Sequence, residues 1–251
     1  VNPELRVFNL THEIETYNIW NASYRLVQTL QYWPEGTVFV SVVDPGVGSE
    51  RKSVVAKTKD GKYIVTPNNG TLTHIHLNIG IEEIREIDET KNRLPYSNDS
   101  YTFHGRDIYA FTGARLATGV ISYEEVGPKL DLEEISLLNT GEVKIENGNT
   151  IQGTIDILDV RFGNLWTNIP KEDFENLGIK YGDTVELTIN HDSRKVYSST
   201  VKYVKSFSEV NTGATLLYVN SLHKIGVAIN QGSFSKAHQV DSGYQWKVEF
   251  K

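Results

Sequence analysis

The run from Val38 to Val43 is apolar and rich in β-branched residues, and it ends on Asp44 and the turn Pro45-Gly46-Val47-Gly48. Such a run, bounded by turn residues on both sides, reads as a buried strand that stops on a carboxylate. The Pro-Gly-x-Gly turn bends the backbone sharply and brings the guanidinium of Arg51 back towards Asp44. About fifty residues later, Phe103-His104-Gly105-Arg106-Asp107 adds an imidazole. Open α/β sheets place their ligands at strand ends followed by Gly-rich turns. An Asp, an Arg and a His converging there suit the handling of a water molecule or an anion. Two phosphate-loop readings of the turn fail. A Walker loop needs Gly directly before its Lys-Ser, and a dinucleotide fingerprint needs a third Gly three residues after Gly48; Arg51 occupies both places. On these residues alone, an ion pair that merely braces a tight turn accounts for Asp44 and Arg51 equally well.

The first half alternates strand-like and helix-like segments. Val7 to Leu10 reads as a strand, and Asn18 to Tyr32 as a helix with Ile19, Ala22, Leu26 and Leu30 on one face. Strands follow at Val38 to Val43, Ser53 to Lys57 and Tyr63 to Thr66. Helical spacing recurs over Leu72 to Leu77 and Ile108 to Thr118. This alternation predicts a mainly parallel sheet with crossover helices. From about Gly141 the texture changes to short β-rich runs: Ile151 to Val160, Thr184 to Ile189, Val196 to Val204, Thr215 to Val219 and Gly226 to Ile229. These predict a smaller antiparallel β-domain or barrel. The domains are expected over residues 1–140 and 150–251, with the polar stretch from Gly127 to Asn149 as the junction.

The chain has 251 residues, a formal charge of −7, no cysteine and no methionine. The charge and the lack of any basic run argue against a nucleic-acid partner. Disulfides, thiolate metal sites and Cys nucleophiles are excluded. No apolar stretch approaches the ~20 residues of a membrane span. The opening Val1-Asn2-Pro3-Glu4-Leu5 reads as a turn entering a second strand-forming element rather than a first. A βα unit of roughly 20 to 30 residues is therefore expected upstream, and a cytoplasmic location is the default expectation.

A second chemical cluster spans Asp159-Val160-Arg161-Phe162-Gly163-Asn164-Leu165-Trp166-Thr167-Asn168. Aromatic faces with amides suit a flat heteroaromatic ring such as adenine, and a carboxylate suits an ammonium group. A β-turn with core aromatics is the competing reading. His74 and His76 lie two apart and could chelate a metal, but a structural or surface role is the plainer expectation, and no metal or cofactor is assigned.

Together these motifs resemble the S-adenosyl-L-methionine (SAM) hydroxide adenosyltransferase family, relatives of the fluorinases and chlorinases. The matching pieces are Thr11-His12, Pro34-Glu35-Gly36-Thr37-Val38, Val43 to Gly48, Pro67-Asn68-Asn69-Gly70, Thr102 to Asp107, Phe162 to Asn168, Asn220-Ser221 and Ala228-Ile229-Asn230. The resemblance implies an N-terminal α/β domain, a C-terminal β-barrel and a homotrimer with sites between subunits. It also implies attack of water or hydroxide on C5′ of the SAM ribose, releasing methionine and forming adenosine. Within that pattern Asp44, Arg51 and His104 match a catalytic triad. The substrate-side matches are Tyr17, Phe103, Gly105, Asp159, Phe162, Asn164, Trp166, Ser221, Asn230 and Gln231. Asp159 stands for the carboxylate that holds the methionine ammonium group, Ser221 for a carboxylate contact, and Phe162, Asn164, Trp166, Asn230 and Gln231 for the adenine surroundings.

Four departures from the halogenating relatives matter. Those enzymes resemble this chain but carry Tyr at the place of Asp44, and the fluorinases carry Ser at the place of Gly105, Arg at that of Leu222 and Trp at that of Tyr17. A carboxylate beside the nucleophile repels a halide, so Asp44 points to water. A SAM-dependent halogenase, a non-catalytic SAM- or nucleoside-binding protein and a metal-dependent hydrolase are the alternative readings.

Overall fold

The computed structural model describes residues 1–97, 99–159 and 161–251. The chain forms two compact units, Val1–Leu138 and Asn139–Lys251.

The first unit is built on a five-stranded sheet. Its strands are β1 (Val38–Val40), β2 (Ser53–Thr58), β3 (Tyr63–Pro67), β4 (Ile81–Glu86) and β5 (Lys129–Leu130), in the order β1-β3-β2-β4-β5. Only β1 and β3 run parallel; β2–β3, β2–β4 and β4–β5 are antiparallel. The expectation of a mainly parallel sheet is corrected by this pairing. Two physical causes explain the misreading. First, β2 and β3 are joined by a tight turn at Lys59–Gly61, with Gly61 at φ +77°, and a link that short permits only antiparallel pairing. Second, the sheet is covered on both faces. Val54 and Ala56 point into one core with Leu26, Leu30, Phe39, Ile64 and Ile75, while Val55 and Val65 point into another with Ile108, Tyr109, Tyr123 and Val126. Strands buried on both sides read as unbroken apolar runs, which is the usual mark of parallel sheets.

Helices α1 (Ile19–Leu30) and α2 (Thr73–Asn78) supply one cover. The Asn18 side chain caps α1 by accepting from the Asn21 N–H at 2.9 Å, and Leu26 and Leu30 enter the core. The short α3 (Glu89–Asn92) follows β4. A π-helical turn over Gly105–Ala110 runs directly into α4 (Phe111–Ala117) on the other face. The strand expected over Val38 to Val43 stops at Val40; beyond it only Ser41 N–H bonds back to the Val65 carbonyl, at 3.0 Å. Val7 to Leu10 does not form the expected strand: it pairs with no sheet edge among the described residues, and Val7, Phe8 and Leu10 are exposed. No helix among the described residues is long and apolar enough to cross a membrane.

The second unit is a barrel. After β6 (Lys144–Glu146), its strands are β7 (Thr150–Asp159), β8 (Asn164–Pro170), β9 (Thr184–His191), β10 (Arg194–Tyr203), β11 (Thr215–Val219), β12 (Lys224–Ile229) and β13 (Gly243–Phe250). Seven of these close in the circle β7-β8-β12-β11-β10-β9-β13 and back to β7, while β6 adds to one margin. All contacts are antiparallel except a two-residue parallel pairing of β10 with β11. Inward residues such as Ile151, Ile155, Leu165, Leu187, Ile189, Val227 and Phe250 fill the interior. Helix α5 (Lys171–Glu175) contributes Phe174 to this core, and α6 (Phe234–His238) contributes Phe234.

Phe174 is fully buried, with its ring edge-on to Tyr203 at 5.1 Å and to Phe250 at 5.3 Å. Phe174→Ala should therefore destabilise the barrel by about 3–5 kcal/mol, the usual effect of emptying an aromatic core position. Urea unfolding monitored by circular dichroism checks this. A midpoint unchanged from wild type would show that Phe174 does not hold the core together.

Candidate active site

The segment between β1 and β2 arches away from the sheet and returns. Asn69 Nδ2 donates to the Val43 carbonyl at 2.9 Å, and the Asn68 N–H donates to the Lys52 carbonyl at 2.9 Å. Gly48 sits at φ +80°, a backbone state that L side chains rarely adopt, and lets the chain reverse. The reversal lays Arg51 against Asp44. Arg51 Nε donates to Asp44 Oδ1 at 2.7 Å and Nη2 donates to Oδ2, a bidentate fork. Both side chains are nearly buried, at 11% and 5% exposure.

His104 stands at the start of the π-helical turn, an uncommon element that recurs at functional sites. Its Nδ1 lies 3.3 Å from Arg51 Nη2. A guanidinium has only donors, so Nδ1 is the acceptor and the ring proton sits on Nε2. That Nε2 is buried and has no hydrogen-bond partner among the described residues. Burial holds the imidazole below its ordinary 6.5, with Arg51 and Arg93 pushing the same way against Glu89 and Asp44. His104 is thus a neutral ring presenting an unused N–H.

The remaining Arg51 nitrogen, Nη1, donates to Ser53 Oγ at 3.2 Å. Ser53 Oγ also lies 3.1 Å from Tyr109 Oη and 3.4 Å from Glu89 Oε1. Burial pushes the Tyr109 phenol far above its ordinary value, so it stays protonated. Beside His104, the Arg106 guanidinium lies 4.9 Å from the exposed Phe103 ring. Arg106 also holds the fully buried Asp107 carboxyl below the usual carboxylate range. A Cβ at Gly105 would meet Val42 Cγ1 at 3.4 Å, so a small side chain fits there. Tyr17 is exposed on the turn ahead of α1, at φ +70°.

In the barrel unit, Asp159 ends β7, and Asn164 to Asn168 lie along a full strand, β8. Asp159 pairs with Asn164 across the β7–β8 turn, and the Asp159 carbonyl accepts from the Phe162 and Gly163 N–H groups. Gly163 is required there: it stands at φ +70°, and a Cβ would fall 1.9 Å from Ser233 Oγ. Phe162 is exposed, Asn164 is buried, and Trp166 Nε1 donates to Tyr218 Oη at 2.9 Å. Asn230 Nδ2 donates to the Val210 carbonyl at 2.9 Å, and Gln231 follows on a turn at φ +58°. Ser221 lies on the exposed turn before β12, whereas Asn230 and Gln231 lie after it. The two groups flank a six-residue strand, a span of roughly 20 Å. Only an elongated ligand could touch both ends. Val160 lies outside the described residues.

Sequence reading missed Ser53, Glu89, Tyr109 and Tyr218. Ser53 and Tyr109 sit inside apolar elements, Glu89 belongs to no motif, and Tyr218 is one of several β-strand aromatics. Burial pushes the Tyr218 phenol up to about 12, against the lowering effect of Trp166. The His74 N–H and Nδ1 both meet Ser23 Oγ, at 2.9 and 3.0 Å, and its ring packs edge-on to Trp20 and Tyr24. Among the described residues, no group of three or more His, Asp or Glu side chains is gathered as a metal site.

His104 should titrate below 6.5, because its charged form is disfavoured in the fold. The unfolded chain then binds more protons between that lowered value and 6.5, so this group makes the fold less stable as pH drops through that window. Imidazole NMR against pH, alongside urea unfolding at several pH values, checks both statements. A midpoint at or above 6.5 contradicts them.

Residues 1–127 match the SAM hydroxide adenosyltransferase N-terminal domain, and residues 153–247 match the corresponding C-terminal domain. The chain is 35% identical over 240 residues to an (R)-S-adenosyl-L-methionine hydrolase of Methanocaldococcus jannaschii, spanning 96% of this chain and 81% of that protein. It is 26% identical to a fluorinase of Actinopolyspora mzabensis over 98% of this chain and 87% of that one. The crystal structure of an uncharacterized conserved protein from Thermotoga maritima superposes with a TM-score of 0.86 at 35% identity, covering 99% of this chain and 90% of the other. A conserved hypothetical protein from Thermus thermophilus gives 0.70 at 29% identity, covering 96% and 86%. With both domain families matched in order along one chain, and a hydrolase relative aligned over nearly all of it, this protein belongs to the SAM hydroxide adenosyltransferase family.

Proposed function

We propose that this protein hydrolyses S-adenosyl-L-methionine to adenosine and L-methionine. The observation that carries the reading is the single guanidinium of Arg51, which binds both oxygens of Asp44 and one nitrogen of His104. In the reaction, a water oxygen forms a bond to C5′ while the C5′–S bond breaks. The electron pair goes to sulfur, which leaves as the neutral thioether of methionine, and one proton departs from the water. The sulfonium is already a good leaving group, so the protein's task is to orient and activate the water and to exclude bulk solvent.

The geometry divides that task. Arg51 is permanently charged and has no lone pair, so it favours a nucleophile with hydroxide character and fixes its place. His104 Nε2–H is a donor that can hold the nucleophile's oxygen. The remaining lone pairs of Asp44 are the acceptors available to the departing proton. Asp159, Asn164 and Trp166, together with Phe162, Ser221, Asn230 and Gln231, are read as the substrate-binding side, with Tyr17, Phe103 and Gly105 nearer the ribose and the nucleophile. The active form is read as a homotrimer in which the β7–β8 hairpin of one copy faces the triad of its neighbour. SAM is the substrate, and no further cofactor is assigned.

A halogenase is the competing reading within the family. Asp44 speaks against it, because a carboxylate next to the nucleophile repels a halide. The relatives at 35% and 31% identity are named for the (R) form of the substrate, so both sulfonium epimers belong in the assay.

Incubation with each epimer should yield adenosine as the nucleoside product, even in concentrated chloride. Chromatographic detection of 5′-chloro-5′-deoxyadenosine as the main product would overturn the assignment. Asp44→Ala should lower the rate on the order of a hundredfold or more, the scale of a lost proton acceptor, with Asp44→Asn as the variant that keeps the shape of the site. Light scattering should give about three times the chain mass of 28.3 kDa. A monomer fully active at high dilution would contradict the shared site.

A further inference from the structure

Glu89 lies outside every motif, in the first turn of α3, yet it reaches the centre of the site through one hydroxyl. Ser53 is buried at 3% exposure, and its Oγ meets three groups: Arg51 Nη1 at 3.2 Å, Tyr109 Oη at 3.1 Å and Glu89 Oε1 at 3.4 Å. A serine hydroxyl has one proton and two lone pairs. Arg51 can only donate, and a carboxylate can only accept. The assignment is therefore forced: Oγ accepts from Arg51 and from Tyr109, and its proton goes to Glu89. The far oxygen of Glu89 accepts from Arg93 Nη2 at 2.8 Å, which fixes the carboxylate, and Arg93 in turn lies 5.7 Å from the centre of the Tyr101 ring. Nη1 is the one guanidinium nitrogen that neither Asp44 nor His104 occupies, so Ser53 and Glu89 complete the set of contacts that hold the Arg51 plane.

We propose that Glu89 is a positioning residue for the Asp44–Arg51–His104 site, acting through Ser53 to hold Arg51 against Asp44 and His104. Among the described residues, three negative and two positive groups bear on His104, and Glu89 is one of the negative ones. Arg51 and Asp44 bear on the imidazole from the arch between β1 and β2, Glu89 and Arg93 from α3 and the residue after it, and Asp107 from the π-helical turn. Of these, Glu89 is the strongest of the charges that favour the imidazolium, though burial outweighs it. The kinetic half of this inference rests on the proposed hydrolysis; the titration half does not.

The test uses Glu89→Gln and Glu89→Ala in the full chain, with SAM turnover and the imidazole NMR titration of His104 measured on each. The signal lost in His104→Asn assigns the resonance. In Glu89→Ala, kcat should fall on the order of tenfold, because Arg51 is released from its plane, with KM changed by less than about twofold. In Glu89→Gln, the amide oxygen still accepts from Ser53, so kcat should fall less. The His104 midpoint should drop below the wild-type value in both, since both remove the charge. A residue that only stabilised α3 would leave that midpoint in place. An unmoved midpoint in both variants, an unchanged kcat in Glu89→Ala, or a loss confined to KM would each overturn the proposal. If the alanine variant does not fold, the near-isosteric glutamine variant still decides by its titration. If the wild-type protein consumes no SAM, the proposed reaction fails, and the His104 midpoint alone judges the role of Glu89.

Discussion

One planar cation organises the first unit. Arg51 binds Asp44 with two nitrogens, shares one of them with His104 and gives the third to Ser53. These contacts tie together the arch after β1, the start of β2 and the π-helical turn, three separate segments of the chain. The Tyr109 ring, 5.6 Å from the guanidinium carbon, closes the far side. A nearly buried ion pair is poor evidence for added stability, because its desolvation offsets its attraction. Breaking one is different: it strands a charge in a low-dielectric site, an effect of about 3–5 kcal/mol. The pair is therefore best understood as setting geometry. Without it, the arch from Val42 to Lys52 would be held mainly by the amides of Asn68 and Asn69.

The sheet around this group explains why the arch can exist at all. Among the described residues β1 is an edge strand that pairs only with β3, and it ends after three residues, leaving the chain free to leave the sheet at Ser41. β2 then re-enters beside β3 rather than beside β1. The reversal demanded by that order brings the end of one strand next to the beginning of another. Asp44 and Arg51 lie in the arch just beyond those two ends. The helical cover over Val55 and Val65 carries His104 to the same place, so the topology assembles the three side chains before any side-chain interaction acts.

The meeting of Asp44, Arg51 and His104 was legible in the sequence because its chemistry is written locally. The carboxylate of Asp44, the Pro-Gly-x-Gly turn after it and a His-Gly-Arg-Asp run are each short enough to be read without knowing the fold, although the strand before Asp44 is shorter than the sequence suggests: it stops at Val40. Strand direction was not legible, since Val54, Val55 and Ala56 are buried on alternate faces under two separate covers, and their unbroken apolarity looks the same in either direction. β4, Ile-Glu-Glu-Ile-Arg-Glu, hid because its two buried isoleucines are three residues apart, a helical spacing, while the strand sits beside β2 with a register shift at its start. Val7 to Leu10 had the composition of a strand but gained no partner edge. Ser53, Glu89 and Tyr218 matter through contacts between distant parts of the chain, as with the 36 positions that separate Ser53 from Glu89, and single-sequence patterns carry no record of such contacts.

The closing strand of the barrel has a consequence for how that unit is made. β13 pairs with β7 and β9 at once, and the β7 ladder sets Phe250 opposite Ile151. Nearly the whole unit lies between those two partners in sequence. The circle therefore cannot shut until its most distant residues meet, after the chain entropy of a very long loop has been surrendered. Proteins dominated by such non-local pairings fold slowly and spend longer with unpaired strand margins exposed. β7 and β9 both wait for the same eight residues, so a chain stalled or clipped before Gly243 would present two open β-edges together, the condition under which one copy borrows a strand from another.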